Sequence, residues 1–252
     1  MGNVTCPPMV FKTPWPSWLK SRAGNRWLVL LIVGLVTMGC RSNPPRQTAV
    51  LRQPDLVELT ELDPTIQLDI RYATTNNFTH QPVYGEARAF LQRPAAEALS
   101  RANQSLRRQG YGVVVFDGYR PWSVTKLFWE TASESERKIG FVANPKNGSK
   151  HNRGCAVDLS LVVLATGKEA EMPSAYDEFS ERAYPTYAGG DAESRRLRDV
   201  LRRAMEAQGF RVYKSEWWHF DYKDWKQYGV LDIPFREIGT TNDVQLGTKT
   251  AK

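Results

Sequence analysis

An aspartate inside an apolar strand is the feature that most restricts how this chain can fold. The run Cys155–Leu164 (CAVDLSLVVL) is rich in aliphatic and β-branched residues, which predicts a buried strand, yet Asp158 lies within it. A carboxylate is costly to bury unless it pairs with a cation or binds a metal. The strand must therefore bring Asp158 to a partner, and the loop before it, Ser149–Gly154, offers His151.

A second unusual stretch, Ser215–His219 (SEWWH), places Glu216 three residues before His219 with two tryptophans between them. Two large apolar residues between two titratable ones suit a polar pair that faces a cleft, with an apolar wall behind it. Residues three apart point to opposite faces of a regular strand. If Glu216 and His219 serve one site, the chain must turn or bulge between them, and we expect Trp217 and Trp218 to anchor that bend.

Together the two stretches predict a metal site. The chain contains three histidines, and two of them, His151 and His219, form a mixed nitrogen and oxygen donor set with Asp158. Three protein ligands, with a fourth position left to water, is the arrangement of catalytic zinc, and Glu216 then lies beside that water. Each signal alone has a plainer interpretation, namely a structural histidine, a tryptophan pair in the core, or a salt bridge between Asp158 and an arginine.

The rest of the chain mixes helices and strands without a regular strand–helix repeat. Alternating or β-branched runs predict three further strands, at Ile66–Tyr72, Tyr111–Phe116 and Phe210–Tyr213. Apolar periodicity and terminal signals predict three helices, at Pro94–Arg108, Trp122–Ala132 and Glu193–Gln208. We therefore expect an α+β fold, a single domain with a mainly antiparallel sheet flanked by helices.

The amino-terminal segment Met1–Gly39 has the pattern of a secretory signal. A basic flank precedes an apolar run, Trp27–Val36, which is too short for a comfortable membrane span of roughly 20 residues. Cys40 follows directly and resembles the cysteine of the bacterial lipobox, which is lipidated and begins the mature protein; an uncleaved signal anchor is the alternative. Either interpretation predicts a protein on the periplasmic side of a bacterial cell envelope, held to the membrane.

The signal also changes the arguments from charge and cysteine content. Met1–Gly39 carries four basic and no acidic residues, so its removal lowers the formal net charge from +7 to +3. No basic run with interleaved aromatics occurs, which disfavours nucleic-acid binding. Of the three cysteines, Cys6 would leave with the signal and Cys40 would be lipidated. Cys155 then remains alone, and no internal disulfide is expected.

Domain boundaries follow from composition. We assign the polar, proline-bearing residues 40–55 to a tether, residues 56–238 to one folded domain and the polar residues 239–252 to a flexible tail. Neither GxGxxG nor GxxxxGK[ST] occurs, so nucleotide-binding folds are disfavoured. A serine triad of Ser149, His151 and Asp158 is also disfavoured, because no GxSxG frames the serine.

The motif SxHxxGxAxD at Ser149–Asp158, followed by ExWH at Glu216–His219, resembles the pattern of the zinc D,D-peptidases. Within that group the chain is similar to the D-alanyl-D-alanine dipeptidases of the VanX type over roughly Leu56–Phe235. Four further blocks carry the similarity: Asp69–Thr74 (DIRYAT), Asn77–Thr79 (NFT), Val83–Gly85 (VYG) and Val115–Pro121 (VFDGYRP).

The resemblance implies the chemistry of the site. It implies one zinc ion on the three candidate ligands, Glu216 as general base and then acid, and Arg71 as the residue that stabilises the transition state. Zinc lowers the pKa of bound water to ~7, and a carboxylate can move the water proton. The permanently charged guanidinium of Arg71 suits a developing oxyanion. Without the resemblance, Arg71 is interpreted as a partner of Asp69 or a surface charge.

Three further residues are candidates for binding substrate. Asp177 aligns with a family position near the substrate amine, so we assign it to the ammonium group of a dipeptide. Ser149 also aligns near the substrate, with bracing of its own loop as an equal alternative. Arg120 either binds a carboxylate or ties down its turn. Cys155 stands where a small residue such as serine is expected, and strand alternation turns it away from Asp158, so we expect it to serve packing.

The resemblance implies an enzyme that hydrolyses the free dipeptide D-Ala-D-Ala to two molecules of D-alanine. The alternative is a zinc D,D-carboxypeptidase that trims D-alanine from peptidoglycan stems, because an exported lipoprotein meets the cell wall. A non-enzymatic wall-binding lipoprotein ranks last, because every catalytic position holds a competent residue. If the dipeptidase and export predictions both hold, salvage of wall-derived dipeptide is favoured over antibiotic resistance.

Overall fold

The computed structural model describes residues 43–47 and 50–239. The predicted signal segment Met1–Gly39, the lipidation candidate Cys40 and the predicted tail beyond Gly239 lie outside the described residues. Within the described ranges, no helix combines the length and the apolar character that crossing a membrane requires.

Strands and helices alternate irregularly along the described chain. The strands are β1 (Leu56–Glu58), β2 (Gln67–Leu68), β3 (Phe90–Gln92), β4 (Tyr111–Asp117), β5 (Ala156–Val163), β6 (Lys168–Glu169), β7 (Phe210–Tyr213) and β8 (Glu216–Tyr222). The helices are α1 (Leu59–Leu62), α2 (Arg93–Arg107), α3 (Trp122–Thr131), α4 (Glu134–Ile139) and α5 (Ala192–Glu206). Short 3-10 turns connect several of these elements, and those at Arg71–Ala73 and His151–Arg153 bear on the site.

A six-stranded sheet forms the centre of the domain. Its strands lie in the order β2-β4-β5-β8-β7, with β6 added against β5, and β2 with β4 is the parallel pair among antiparallel neighbours. Strands β1 and β3 form a separate antiparallel pair. The predicted α+β class, with a mainly antiparallel sheet flanked by helices, is confirmed.

Helices α2 and α5 pack against each other and against the sheet. The predicted apolar stripe of α2 is completely buried, at Ala95, Leu99, Ala102 and Leu106. Pro94 lies in the first turn of α2, where its missing N–H costs no helical hydrogen bond. Val157, Leu159 and Leu161 of β5 join the same core. The alternate residues of β5, Asp158 among them, therefore face the other side of the sheet.

The predicted strand Ile66–Tyr72 is wrong for most of its length. Only Gln67–Leu68 pairs with β4, and the chain then turns into a 3-10 helix at Arg71–Ala73. The side-chain amide of Asn77 donates to two carbonyl oxygens at the ends of this turn, at 3.1 and 2.7 Å. Such side-chain bonds to the backbone compete with a strand ladder. The turn carries Tyr72 into the core, where it is 2% exposed.

The segment before β1 contacts the domain in the part of the chain that is described. Gln47 Oε1 accepts a hydrogen bond from Arg153 Nη1 at 3.0 Å, and Arg52 forms an isolated parallel bridge with Tyr228. These contacts attach the predicted tether close to the turn that carries His151.

The close approach of Gly154 to β1 and β3 generates a prediction about stability. Gly154 has a φ of 65°, the left-handed region that glycine adopts at little cost. A Cβ here would lie 2.5 Å from Leu56 Cδ2 and 3.2 Å from the backbone nitrogen of Gln92. We expect Gly154→Ala to lower the free energy of unfolding by about 2–4 kcal/mol, because left-handed strain and overpacking add together. Urea denaturation measures this loss.

The matched control is Gly167→Ala. Gly167 has a similar φ of 68°, but nothing lies within 4 Å of its Cβ position. Its substitution introduces the strain without the clash and should cost only about 1–2 kcal/mol. Equal losses in the two variants would contradict a close-approach role for Gly154.

Candidate metal centre and active site

Two neighbouring strands bring the predicted ligands together. In the register of β5 with β8, Asp158 lies directly opposite His219, and such partners have Cβ atoms about 4.5–5.5 Å apart. His151 lies in the 3-10 turn immediately before β5. Asp158 and His151 are buried, at 4% and 3% exposure. Residues that are far apart in the sequence therefore meet beneath the surface.

Three side-chain atoms of these residues form a small triangle. His151 Nε2 lies 3.1 Å from His219 Nδ1 and 3.5 Å from Asp158 Oδ1. The third side, from His219 Nδ1 to Asp158 Oδ1, is 3.0 Å long. Ligands at about 2.0–2.1 Å from a tetrahedral zinc ion lie roughly 3.3 Å from one another. The triangle therefore has the size that a single zinc ion requires.

The outer nitrogens of both imidazoles already have partners. His151 Nδ1 lies 2.7 Å from the carbonyl oxygen of Gly118, and His219 Nε2 lies 2.9 Å from Asp221 Oδ1. These oxygens accept hydrogen bonds, so each outer nitrogen carries the proton and each inner nitrogen of a neutral ring presents a lone pair. Asp158 Oδ1 is buried and has no hydrogen-bond partner among the described residues while both inner nitrogens lack a proton. Three electron-pair donors thus converge, and a cation bound between them would complete the arrangement.

The titration of the site follows from this geometry. Burial acts to raise the pKa of Asp158, but the two histidines hold it well below its usual range. Burial acts to lower the pKa of His219, but hydrogen bonds and negative charge from Asp158 and Asp221 raise it to about 10. In the metal-free protein a proton on His219 therefore supplies positive charge to the triangle. Metal binding must displace that proton.

Strand β8 is irregular where it carries Glu216. Tyr213 of β7 pairs with Glu216, whereas the preceding residue, Val212, pairs with Phe220. Residues 217–219 therefore lie between two successive pairs of the ladder. A bulged strand changes the direction of its side chains, which lets Glu216 and His219 face one site. The predicted bend between them is confirmed.

The two tryptophans hold this bend. Trp217 and Trp218 are each 1% exposed, and Trp217 Nε1 donates a hydrogen bond to Ser174 Oγ at 2.9 Å. Glu216 Oε2 comes to 3.7 Å from His219 Nδ1. Burial, opposed by His219, raises the pKa of Glu216 to about 7. A carboxyl group with this pKa can accept and return a proton near neutral pH.

A cavity of about 330 Å³ opens beside these residues. Its lining includes the three candidate ligands and four other predicted site residues, Arg120, Ser149, Asp177 and Glu216. Aromatic side chains supply much of the remaining wall: Phe78, Phe128, Phe141, Tyr213 and Trp218. A concave, partly apolar space of this size with a few polar groups is typical of a small-molecule site.

Arg120 and Ser149 line the cavity but are engaged within the protein. Arg120 donates to Asp117 Oδ2 from Nε at 2.9 Å and from Nη2 at 2.6 Å, and it lies 3.9 Å from Asp158 Oδ2. Ser149 Oγ accepts a hydrogen bond from the backbone nitrogen of Asn152 at 3.1 Å. The structure therefore shows the turn-fixing and loop-bracing contacts that the sequence left as alternatives. The substrate-binding roles of both residues stay predictions.

Asp177 faces the cavity from a constrained backbone. Its φ is 59°, and Tyr72 donates a hydrogen bond to its Oδ2 at 3.2 Å. A positive φ in a residue other than glycine is held by its surroundings and often occurs at functional sites. Burial, together with the negative charges of Asp158 and Glu216, raises the pKa of Asp177. A cation at this position would offset that repulsion.

Arg71 is absent from the described lining of this cavity. Its Nε donates to Asp69 Oδ2 at 2.6 Å, its Nη2 lies 3.3 Å from Glu169 Oε2, and its guanidinium lies over the ring of Phe116. It lines a neighbouring pocket that shares Asp177 with the cavity. The pairing with Asp69 is the plainer of the two interpretations made from the sequence. The catalytic role of Arg71 stays a prediction.

Sequence reasoning missed two residues that contact the ligands and one behind them. Asp221 lies behind His219, Lys150 Nζ lies 2.5 Å from Asp221 Oδ2, and the Tyr176 hydroxyl donates to Asp158 Oδ2 at 3.2 Å. Alternation along β8 puts His219 and Asp221 on one face, so that spacing was a usable signal. The contact of Tyr176 with Asp158 arises from the fold and has no local signal.

Cys155 is fully buried in the core that contains Val157 and Leu159. Burial raises the pKa of its thiol to about 12. A protonated, inaccessible thiol is neither a metal ligand nor a nucleophile. The prediction that Cys155 serves packing is confirmed.

A triangle of metal donors beside a buried carboxyl group is the arrangement of a metal-dependent hydrolase. The chain belongs to the D-ala-D-ala dipeptidase family, whose sequence model matches residues 52–237. The D-alanyl-D-alanine dipeptidase of Enterococcus faecalis is 35% identical over 197 residues, which cover 70% of this chain and 92% of that protein. That of Escherichia coli is 29% identical over 181 residues, covering 72% and 91%.

Among solved structures, the D,D-pentapeptidase VanY in complex with Zn(II) is similar at 14% identity and a TM-score of 0.36, covering 56% of this chain and 77% of that chain. This is a remoter similarity than those to the dipeptidases. The family assignment rests on the sequence match, and it makes the chain a peptidase.

The raised pKa of Glu216 predicts a pH-dependent stability of the metal-free protein. The pKa of this carboxyl group is usually 4.5, and it is about 7 in the folded protein. The stability from its protonated form is therefore present below pH 4.5 and is lost as the pH rises through 7. The side chain of the Glu216→Gln variant stays neutral, so the variant does not lose this stability. The free energy of unfolding of the variant minus that of the unaltered protein should therefore be about 1–3 kcal/mol larger at pH 8 than at pH 5.

Urea denaturation of zinc-free protein at both pH values measures this difference. Glu97→Gln, at an exposed position of α2, is the control and should leave the difference unchanged. A pH-independent difference for Glu216→Gln would show that the carboxyl group is not held in a desolvated place.

Proposed function

We propose that this chain hydrolyses D-Ala-D-Ala to two molecules of D-alanine, with one zinc ion held by His151, Asp158 and His219. One observation carries the proposal: in a chain of the dipeptidase family, three electron-pair donors converge at zinc spacing beside a buried carboxyl group. Relatives named D-alanyl-D-alanine dipeptidases, at 34% and 35% identity, support the substrate.

The donor set supports zinc as the metal. Two imidazole nitrogens and one carboxylate oxygen suit zinc, whereas magnesium and calcium prefer oxygen ligands alone. Three protein ligands leave a fourth position for water or substrate, as catalytic zinc sites do. Zinc bound here would lower the pKa of a water ligand to about 7 and polarise the carbonyl group of the substrate.

Glu216 moves the proton of the reaction. Its carboxylate takes a proton from the attacking water and then passes that proton to the nitrogen of the leaving D-alanine. Both transfers need a group that changes protonation near neutral pH, and burial raises the pKa of Glu216 to about 7 in the metal-free protein. The tryptophan-anchored bend keeps this carboxyl group 3.7 Å from His219 Nδ1, beside the position where the water must lie.

Arg71 stabilises the oxyanion that develops on the scissile carbonyl group. Its charge is permanent, and its planar set of donors suits an oxyanion. In the structure it pairs with Asp69 and Glu169, so this role requires its guanidinium to exchange one of these carboxylates for the substrate oxygen. Arg120 is less able to exchange its carboxylate partner for a substrate oxygen, because its guanidinium is buried and donates two hydrogen bonds to Asp117.

Asp177 binds the free amino group of the dipeptide. Its carboxylate faces the cavity, and the Tyr72 hydroxyl holds it in place. A peptidoglycan stem has an acylated nitrogen at the corresponding position and brings no charge to pair with Asp177. Without that cation, burial and the neighbouring negative charges favour the protonated form of Asp177, whose pKa is raised, and no ion pair forms. This difference supports the dipeptidase over the alternative carboxypeptidase.

The place of action is also a proposal. Lipidation at Cys40, or an uncleaved signal anchor, would hold the enzyme at the periplasmic face of a bacterial membrane. The support is the sequence pattern of Met1–Cys40, which lies outside the described residues. In that place, salvage of dipeptide released from the cell wall is the role that fits.

Glu216→Gln tests the reaction. The variant keeps the size of the side chain and all three metal donors but removes the proton acceptor. We expect kcat/KM for D-Ala-D-Ala to fall by about 10²–10⁴-fold, with the zinc content unchanged. Release of D-alanine and elemental analysis measure the two quantities, and Glu97→Gln is the control. Failure of the unaltered, zinc-loaded protein to release D-alanine would refute the proposal.

N-acetyl-D-Ala-D-Ala tests the choice between the two substrates. Acetylation removes the ammonium group that Asp177 is proposed to bind, so kcat/KM should fall by at least about 100-fold relative to the free dipeptide. Asp177→Asn should narrow this difference, because its amide has no charge to leave unpaired. Faster turnover of the acetylated dipeptide, or of a muropeptide, would favour the carboxypeptidase.

A further inference from the structure

A carboxylate that the proposed reaction does not use lies directly behind one metal ligand. Asp221 follows His219 by two residues on β8, so both side chains project from the same face. Asp221 is 8% exposed, and its Oδ1 lies 2.9 Å from His219 Nε2. Its other oxygen, Oδ2, accepts a hydrogen bond from Lys150 Nζ at 2.5 Å. Both oxygens of this buried group are thus committed to named partners.

Lys150 connects this carboxylate to the loop of the other histidine. It immediately precedes His151, and its ammonium group lies 5.2 Å from the ring centre of Trp225 and 5.9 Å from that of Tyr213. Its side chain is 30% exposed, and that of Asp221 is 11% exposed. The ion pair therefore joins the turn that carries His151 to the strand that carries His219, in a place largely shielded from solvent.

We propose that Asp221, held in place by Lys150, is a positioning residue that fixes the tautomer and the ring orientation of His219 for metal binding through Nδ1. The inference rests on the proposed function, because it concerns one ligand of the proposed zinc site. It adds a residue that touches neither substrate nor metal.

The argument starts from the two nitrogens of imidazole. Only a nitrogen without a proton binds a metal. By accepting the hydrogen bond of Nε2, Asp221 leaves the lone pair on Nδ1, the atom that lies 3.0 Å from Asp158 Oδ1 and 3.1 Å from His151 Nε2. The same bond restrains rotation of the ring. Loss of such an outer partner weakens metal binding by about 10–100-fold in other zinc sites.

A salt bridge that merely ties β8 to its neighbouring loop predicts a different pattern. In that case Lys150→Met and Asp221→Ala break the same bond, and the two variants behave alike. If Asp221 positions His219, Asp221→Ala weakens metal binding more than Lys150→Met, because the lysine variant keeps the hydrogen bond to His219. The comparison of the two variants therefore separates positioning from simple bracing.

Zinc affinity, measured without turnover, tests the inference. The full chain is titrated with zinc against a chelator of known affinity, for the unaltered protein and four variants. We expect the Kd for zinc to rise about 10–100-fold in Asp221→Ala, and less in Asp221→Asn, whose amide oxygen still accepts a hydrogen bond. Lys150→Met should have a smaller effect than Asp221→Ala. Asp224→Ala is the matched control, because this nearby carboxylate pairs with Arg52 at the end of β8 and should leave the Kd within twofold.

A second readout reports the tautomer directly. Long-range ¹H–¹⁵N spectra of zinc-loaded, histidine-labelled protein show which nitrogen of His219 carries the proton. The unaltered protein and Asp224→Ala should show the proton on Nε2, and Asp221→Ala should show a mixed or exchanging population. Asp221→Asn serves both measurements if the alanine variant does not fold.

The outcomes distinguish this inference from the proposed function. Normal zinc affinity with an unchanged His219 spectrum in the Asp221 variants overturns the positioning role and leaves the peptidase proposal intact. Equal losses in Asp221→Ala and Lys150→Met also overturn it, in favour of a plain brace. Absence of zinc binding by the unaltered protein refutes the zinc site itself.

Discussion

The site depends on holding three electron-pair donors within 3.0–3.5 Å of one another. Unless a metal ion or a proton lies between them these donors repel, so the surrounding fold must supply the force that keeps them together. Asp158 is fixed by the strand pairing on both of its sides, and His151 by a bond to the carbonyl oxygen of Gly118. The energy of the apolar core, which buries the opposite face of β5, supports this unfavourable convergence.

Two irregularities of the sheet occur where the site needs them. The β4–β5 register shifts between Val115 and Asp117, which sets Asp117 opposite Asp158 and brings Arg120 to the same place. The β7–β8 register shifts around Glu216. Bulges commonly redirect side chains next to active sites. In a fully regular sheet, alternation would send Glu216 and His219 to opposite faces, and the proton acceptor would be separated from the metal donors.

Much of this arrangement was predictable from the sequence, for physical reasons. An aspartate in an apolar strand needs a cation or a metal ion as its partner, which identified Asp158 as a candidate ligand. The spacing of Glu216 and His219 required the bend that the structure contains. The α+β class and the main helices followed from periodicity. The strand Ile66–Tyr72 was predicted wrongly. The prediction used only the alternation of apolar and polar residues, which does not reveal that the side-chain amide of Asn77 stabilises a turn there. The contacts of Arg71 with Glu169 and of Asp158 with Tyr176 join residues that are distant in the sequence, and local sequence patterns do not predict such contacts.

Mutation can disturb the ring orientation of His219 more easily than that of His151. His151 is oriented by the carbonyl oxygen of Gly118, an atom that every residue type possesses, and a Cβ at that glycine would lie 2.8 Å from the carbonyl oxygen of Phe90. His219 is oriented by the side chain of Asp221, which a single codon change can remove. A substitution at position 221 would therefore change how tightly a metal is held without altering any of the three candidate ligands, so the affinity of this site can vary independently of its donor set.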